Sequence, residues 1–258
     1  MLAIERKNEI MAKLRAEQRV LVGELSACYG VTEETIRRDL DKLEKEGYAT
    51  KTYGGAIWGN STKSDLSYTI RKKANVDAKR TIAELAASVI EDGDHLMLDD
   101  SSTSLFLAKQ IKEKKNLTVI TNSIEVIVEL AGVDGWTIMS TGGTLKQDSL
   151  ALIGYQAQQT IRNYHVDKAF ISCKGLDRNN GATDSSEYHS LNKKAMIQSA
   201  RQTYLCLDAS KFDKTSFVQI GGFSELSSVI TNRAPDAAWL EFFHDLHFPC
   251  LYPEGCTE

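Results

Sequence analysis

Proline is nearly absent from this chain, 3 in 258 residues, and with 17 glycines that composition excludes a collagen-like or proline-rich polymer. Long apolar runs are missing as well, so nothing reaches the roughly 18 residues of a bilayer span. Glu5, Arg6, Lys7 and Glu9 interrupt the first residues, leaving no apolar core for a secretory signal. A cytoplasmic protein with no membrane association is expected. The five cysteines (Cys28, Cys173, Cys206, Cys250, Cys256) are scattered, odd in number and never spaced CxxC. They therefore read as reduced thiols, the first three as core filler. Neither sign of charge dominates: 31 Lys and Arg against 35 Asp and Glu give −4. That balance argues against a surface coated by nucleic acid and leaves room for one small basic face.

What is present is 42% hydrophobic, ample for a core, and long enough for a small domain attached to a larger one. Residues 1–57 are dense in charge and short in period. Ile4, Ile10, Met11 and Leu14 stripe a first helix, and residues 21–29 form a second that buries Val22, Leu25 and Cys28. Gly30 ends it as a left-handed cap. Thr32 caps a third helix, with Glu33 and Glu34 in its first turn and Ile36, Leu40 and Leu43 inward. Gly47 closes that helix, and residues 48–57 make a hairpin around Tyr53-Gly54-Gly55. This order is a winged helix-turn-helix. A polar joint follows at 59–65, within a linker taken as 58–74.

From 75 to 233 the pattern is α/β. Helices at 78–91 (closed by Gly93), at 104–112 and through 131 separate apolar strands at 95–99, 117–121, 136–140, 169–172, 203–208 and 228–231. Continuous apolar strands between helices predict a parallel sheet covered on both faces. Ligands of such sheets lie at the strands' carboxyl ends, here Asp99, Thr121, Ser140 and Asp208. His95 and His165 are taken as structural histidines. Residues 234–258 are set apart as a tail for packing or subunit contact.

On the third helix, Glu34, Arg38, Asp41 and Lys42 lie opposite the buried stripe, flanked by Thr35 and Arg37. Alone, such a face is ordinary solvated surface. Behind a short helix and a glycine turn it is presented edgewise to a major groove, where Arg37 and Arg38 reach guanine edges or phosphates. The expected contacts with double-stranded DNA come from Thr32, Thr35, Arg37, Arg38 and Lys42, with Lys51 and Tyr53 on the hairpin. Over residues 1–60 ten Lys and Arg balance ten Asp and Glu, so a single head should bind weakly.

The combination Arg6-x3-Ile10-x3-Leu14, Val31-Thr-Glu-Glu-Thr-Ile-Arg-Arg-Asp-Leu40, Gly47 and Tyr53-Gly54-Gly55-Ala56 resembles the DNA-binding domain of the DeoR family, bacterial regulators of sugar metabolism. The likeness continues through Asp65-Leu-Ser-Tyr-Thr-Ile-Arg71, Lys79-x2-Ile82-Ala83, Thr121-Asn122-Ser123, Gly142-Gly143 and Val166-Asp-Lys-Ala-Phe-Ile171. It ends with Asp208-Ala-Ser-Lys-Phe212 and Val229-Ile-Thr231. The resemblance implies a sensor related in fold to ribose-phosphate isomerases that binds a phosphorylated sugar. A repressor is expected, as a homodimer or homotetramer whose symmetry pairs half-sites and compensates for a weak single head. The sensor's phosphate cradle would be residues 100–104, with Ser101, Ser102 and Thr103 at a helix N-terminus. Relatives usually carry Gly then Thr where this chain has Ser101 and Ser102, and Glu where it has His189.

Further effector contacts are expected from Asn122, Gly142 and Gly143, from Asp184, Glu187 and Lys193, and from Asp208 and Lys211. No cofactor is expected. In the tail His244, His247, Cys250 and Cys256 match no standard zinc spacing, so no metal is expected there. Two rival readings stand beside the regulator: a sugar-phosphate isomerase fused to a DNA module, and an architectural DNA-binding protein whose α/β half only oligomerises.

Overall fold

The computed structural model describes residues 2–45, 48–58 and 68–253, and the chain divides into two units, Met1–Ile70 and Arg71–Glu258. The first contains α1 (Ala3–Glu17), β1 (Arg19–Leu21), α2 (Val22–Tyr29), α3 (Glu33–Lys45), β2 (Ala49–Thr52) and β3 (Gly55–Trp58). It is a winged helix-turn-helix. Ile10, Leu14, Val20, Leu25, Ile36, Leu40 and Leu43 share its core. Burying each large aliphatic side chain is worth about 1.5–3 kcal/mol. Gly30 ends α2 in the left-handed conformation.

β1 was not anticipated, because three residues carry no readable period. It is recruited by antiparallel pairing with β3, in the sheet order β1-β3-β2. Gly55 makes that pairing possible, since a Cβ there would lie 2.1 Å from the Val20 carbonyl oxygen. Two further expectations need correction. Ile4 is 66% exposed, and its place on the inner face goes to Arg6, which Asp39 neutralises. Cys28 is exposed because Tyr29, four positions after Leu25, packs on the core in its stead. Gly47 and the joint at 59–65 lie outside the described residues. Residues placed in the linker do form a helix, α4 (Tyr68–Lys73).

The second unit continues with α5 (Val76–Ser88), β4 (His95–Leu98), α6 (Ser102–Gln110), β5 (Thr118–Thr121), α7 (Ile124–Leu130) and β6 (Thr137–Ser140). Then come β7 (Thr144–Lys146), β8 (Ala151–Ile153), α8 (Tyr155–Arg162), β9 (Val166–Ile171), β10 (Gly175–Asp177), β11 (Gly181–Asp184), α9 (Glu187–Ser199) and β12 (Ala200–Cys206). β13 (Val218–Gly221), β14 (Ser228–Ile230), α10 (Ala237–Asp245) and β15 (Cys250–Leu251) complete it. α5 ends before the expected Glu91, because the chain turns there to bury Ile90.

The main sheet has the order β15-β14-β12-β9-β4-β5-β6, and every neighbouring pair is parallel. The chain runs outward from β4 to β6, then returns to β9 and runs the other way. The order therefore reverses between β4 and β9, which opens a crevice at their carboxyl ends. Two additions escaped the sequence reading: the β7–β8 hairpin and the small antiparallel sheet β10-β11-β13. The segment from 234, expected to serve packing or subunit contact, packs on the second unit as far as it is described. α10 places Trp239 and Phe243 in the same core cluster as Met97, Ile171 and Val229, and β15 extends the sheet beside β14. His95 and His165 are exposed, His95 against Asp167, because each lies at the solvent-facing start of a strand.

Candidate functional site

The crevice is organised by Asp99, the first residue after β4, which is fully buried. Its Oδ1 accepts hydrogen bonds from Ser101 N at 3.0 Å and Ser104 Oγ at 2.6 Å. Its Oδ2 accepts from Ser172 N at 2.8 Å, just past β9, so one carboxylate ties together both strands of the reversal point. Lys193, from α9, adds an ion pair at 3.6 Å. With both oxygens engaged, Asp99 shapes the loop rather than offering a free acceptor.

The loop that Asp99 shapes leads into α6. Ser101 is the N-cap, its Oγ accepting from Ser104 N at 3.0 Å. The first-turn N–H groups at Ser102 and Thr103 have no intrahelical acceptor. The hydroxyls of these two residues make no hydrogen bond among the described residues, although both residues are buried. Unsatisfied donors at a positive helix end form an anion cradle.

Charge converges on this loop. Lys193 Nζ lies 2.5 Å from Asp184 Oδ2, and both are buried. Burial alone would lower the lysine's pKa, but Asp184, Asp99 and Asp100 outweigh it and hold the ammonium charged. For Asp100 burial acts upward, and the neighbouring His189, Lys193 and Arg71 overcome it, keeping the carboxyl below its usual range. Asp184 is held down by the same contest between burial and its lysine neighbours. Sequence reasoning placed Asp184 and Lys193 here. It missed Asp100, in the loop after β4, as a charge partner, and Asn192, which on α9 looks like any polar residue.

Beyond β12, Asp208 accepts from Ser210 N at 3.0 Å, and its carboxyl is held down by Lys211 against the effect of burial. Lys211 makes no ion pair among the described residues. Close by, Lys79 is buried and donates to the carbonyls of Arg71, at 2.6 Å, and Ala74. Burial pushes its pKa down to about 8, with Asp208 opposing and Lys211 and Arg71 assisting.

Other expected contacts lie apart or are already engaged. Glu187, in the first turn of α9, is exposed to solvent, because the helix turns His189 and Lys193 inward instead. The Thr121 hydroxyl donates to Leu98 O at 2.7 Å and accepts from Ser123 N at 3.1 Å, so it braces the ends of β4 and β5. Gly143, at φ +103°, is needed for packing, since a Cβ there would lie 2.6 Å from Ile153 O. Gly142 faces open space, and its N–H is bonded to Ser140 Oγ. Asn122 lies within the crevice, 3.2 Å from Asp100.

In the first unit, Thr32 caps α3 through Thr35 N at 3.3 Å. Arg37 pairs with Glu33 at 2.9 Å and Arg38 with Glu34 at 3.5 Å, while the Arg38 side chain remains 74% exposed. Lys51 on the wing pairs with Asp41, and its pKa is raised by that hydrogen bond. Lys42 is exposed, and Tyr53 projects fully at the hairpin tip. Each arginine of α3 is thus paired with a carboxylate one turn earlier, and Lys51 of the wing with Asp41 of the same helix.

Among the described residues no three His, Cys, Asp or Glu side chains are grouped to hold a metal; Cys256 lies outside them. No helix among them is long and apolar enough to cross a membrane.

Residues 6–62 match the model of the DeoR-like helix-turn-helix domain, and residues 74–233 that of the DeoR C-terminal sensor domain. The uncharacterized HTH-type transcriptional regulator YulB of Bacillus subtilis is 39% identical over 95% of both chains. The HTH-type transcriptional repressor GlcR of the same species is 35% identical over 92% of this chain and 91% of its own. An L-fucose operon activator of Haemophilus influenzae is 33% identical over 88% of this chain and 91% of its own. A ribose 5-phosphate isomerase of Methanocaldococcus jannaschii aligns with 54% of this chain and 55% of its own, at 17% identity and a TM-score of 0.40, which is too slight to carry an argument about activity. With both domain models matched in order and regulators related along nearly the full length, the chain belongs to the DeoR family of transcriptional regulators.

Proposed function

We propose that the chain is a repressor whose operator affinity is lowered by a phosphorylated sugar bound at the β4–β9 crevice. The observation that carries this reading is the turn at Ser102 and Thr103. Its N–H groups and hydroxyls lack partners at a helix N-terminus, beside the charged Lys193. A phosphate supplies the missing acceptors, and Lys211 at the end of β12 supplies a cation for the ester or a sugar oxygen. Asp208 accepts a sugar hydroxyl, while Asp184, its oxygens taken by Ser185 N and Lys193, holds the lysine in place.

The DNA half of the reading assigns Thr35, Arg37, Arg38 and Lys42 to a major groove, and Lys51 and Tyr53 to backbone. Operator phosphates and bases displace the glutamates that now hold the arginines. Because acids balance bases over residues 1–60 and a single head binds weakly, two heads in a homodimer or homotetramer supply tight binding. Linkage supplies the switch: a ligand that prefers the arrangement unable to bind DNA lowers operator affinity by the same factor.

A thermal-shift screen of phosphorylated sugars tests the sensor half. A ligand at 100 times its Kd stabilises the folded protein by about 2.7 kcal/mol. An unmoved transition across the panel would favour the architectural alternative, and turnover of pentose or hexose phosphates would favour the isomerase.

A further inference from the structure

Of the buried polar atoms without a hydrogen-bond partner among the described residues of the second unit, three lie along one connected path: Asn122 Oδ1, Asn192 Oδ1 and His189 Nδ1. Asn122 and Asn192 are 0% exposed and His189 is 4% exposed. The two carboxamides share an anchor. Asn122 Nδ2 donates to Leu152 O at 3.3 Å and to Asp100 Oδ1 at 3.2 Å, and Asn192 Nδ2 donates to the same Leu152 O at 2.9 Å. Turning either amide round would set oxygen against oxygen, so the donors fix both orientations and leave each Oδ1 facing away as a bare acceptor. His189 Nδ1 completes the path 2.8 Å from Asp100 Oδ2, close enough for charge attraction but without the alignment of a hydrogen bond.

Unmatched acceptors in a protein interior cost stability, and native folds seldom keep two together without a use for them. Here they flank a buried carboxylate that directly precedes the Ser101–Thr103 turn. We infer that Asn122, Asn192 and His189 form an inner subsite that reads the hydroxyl-bearing end of the effector. The inference rests on the effector reading above and adds a donor requirement to it. A carboxamide oxygen accepts only donors, so the ligand must present at least two O–H groups here, as vicinal hydroxyls of a polyol do. A ligand ending in a carboxylate or a bare carbonyl meets acceptors with acceptors and is refused. His189, whose Nδ1 lies against Asp100 Oδ2, has its Nε2 left for a third hydroxyl. It is the specificity-determining position of the set.

The test is calorimetric titration of the full chain with glucose 6-phosphate, ribose 5-phosphate, their 2-deoxy counterparts, the same sugars without phosphate, and inorganic phosphate. Wild type, Asn192→Leu and His189→Gln are compared, with melting measured in the absence of ligand. The expected result is that the best sugar phosphate binds each variant at least tenfold more weakly than wild type, while inorganic phosphate binds all three alike. Asn192→Leu removes the unmatched acceptor together with a donor to Leu152 O, a carbonyl that Asn122 Nδ2 still reaches, so the melting curve serves to show that the variant folds; His189→Gln carries the test if it does not. Equal affinity of every sugar phosphate for all three proteins would overturn the inner subsite and leave the phosphate cradle standing. Unphosphorylated sugars that bind with the variant dependence above, and no better with phosphate, would uphold the subsite and overturn the cradle. If no sugar of either kind binds wild type, both are overturned.

Discussion

Arg6 Nε donates to Asp39 Oδ2 at 2.7 Å, a buried ion pair that joins α1 to α3 across 33 positions of sequence. The carboxylate lies one residue after Arg38, about 100° round α3, on its buried side. The pair thus sets the angle at which the exposed face is presented. Asp39→Ala strands a buried guanidinium, a loss of about 3–5 kcal/mol. Hydrogen exchange of α1 and α3 amides in the full chain should accelerate accordingly, and replacing both partners together with Met and Leu should restore much of the protection.

Arg38→Ala should leave protection and assembly unchanged yet weaken specific DNA binding. Its side chain is 74% exposed opposite Ile36, Leu40 and Leu43. A bidentate guanine contact is worth about 1–3 kcal/mol per head, and a dimer has two heads. A gel-shift titration at fixed salt reads the loss, and unchanged affinity removes Arg38 from the interface.

Lys211→Ala should weaken binding of the best sugar phosphate at least tenfold, about 1.4 kcal/mol. Operator binding without ligand should stay at the wild-type level, giving a regulator deaf to its effector. Calorimetry decides: an unaltered Kd returns Lys211 to ordinary surface.

Lys79 gives a pH signature. Its folded pKa, pushed down to about 8, lies below the unfolded value of 10.5, so the unfolded chain binds more protons between the two. Stability attributable to this residue therefore rises as pH climbs from 8 toward 10.5, by about 3 kcal/mol at most. Denaturant unfolding of wild type and Lys79→Met across that window should diverge, wild type gaining. Parallel curves would show that the lysine keeps an ordinary pKa in the folded chain.

What the sequence made legible was local. The Ile36, Leu40 and Leu43 stripe, the Thr32 cap and the apolar strands at 95–99 and 117–121 each depend on neighbours within a turn or a strand length. Hidden features depend on distant partners. Nothing near Arg6 announces Asp39, and nothing near Asn192 announces the Leu152 carbonyl that anchors it. Strands of three or four residues such as β1, β7 and β10 have no period to read, and pairing alone defines them. Trp239 reads as a packing residue, but its partners Phe212 and Phe223 are distant in sequence and could not be named from it. Within the crevice, the sequence singled out Asp184 and Lys193, which the fold brings together as a buried pair. Which hydroxyls were already engaged, as at Thr121, was not legible.

The central claim is linkage between the crevice and DNA. The direct measurement is fluorescence anisotropy of a duplex selected from a random pool by the full chain, titrated with protein at fixed salt, with and without saturating sugar phosphate. The account predicts that ligand weakens duplex binding at least tenfold and that Lys211→Ala abolishes the difference. Identical binding curves for wild type with and without a sugar phosphate that calorimetry shows to be bound would contradict it.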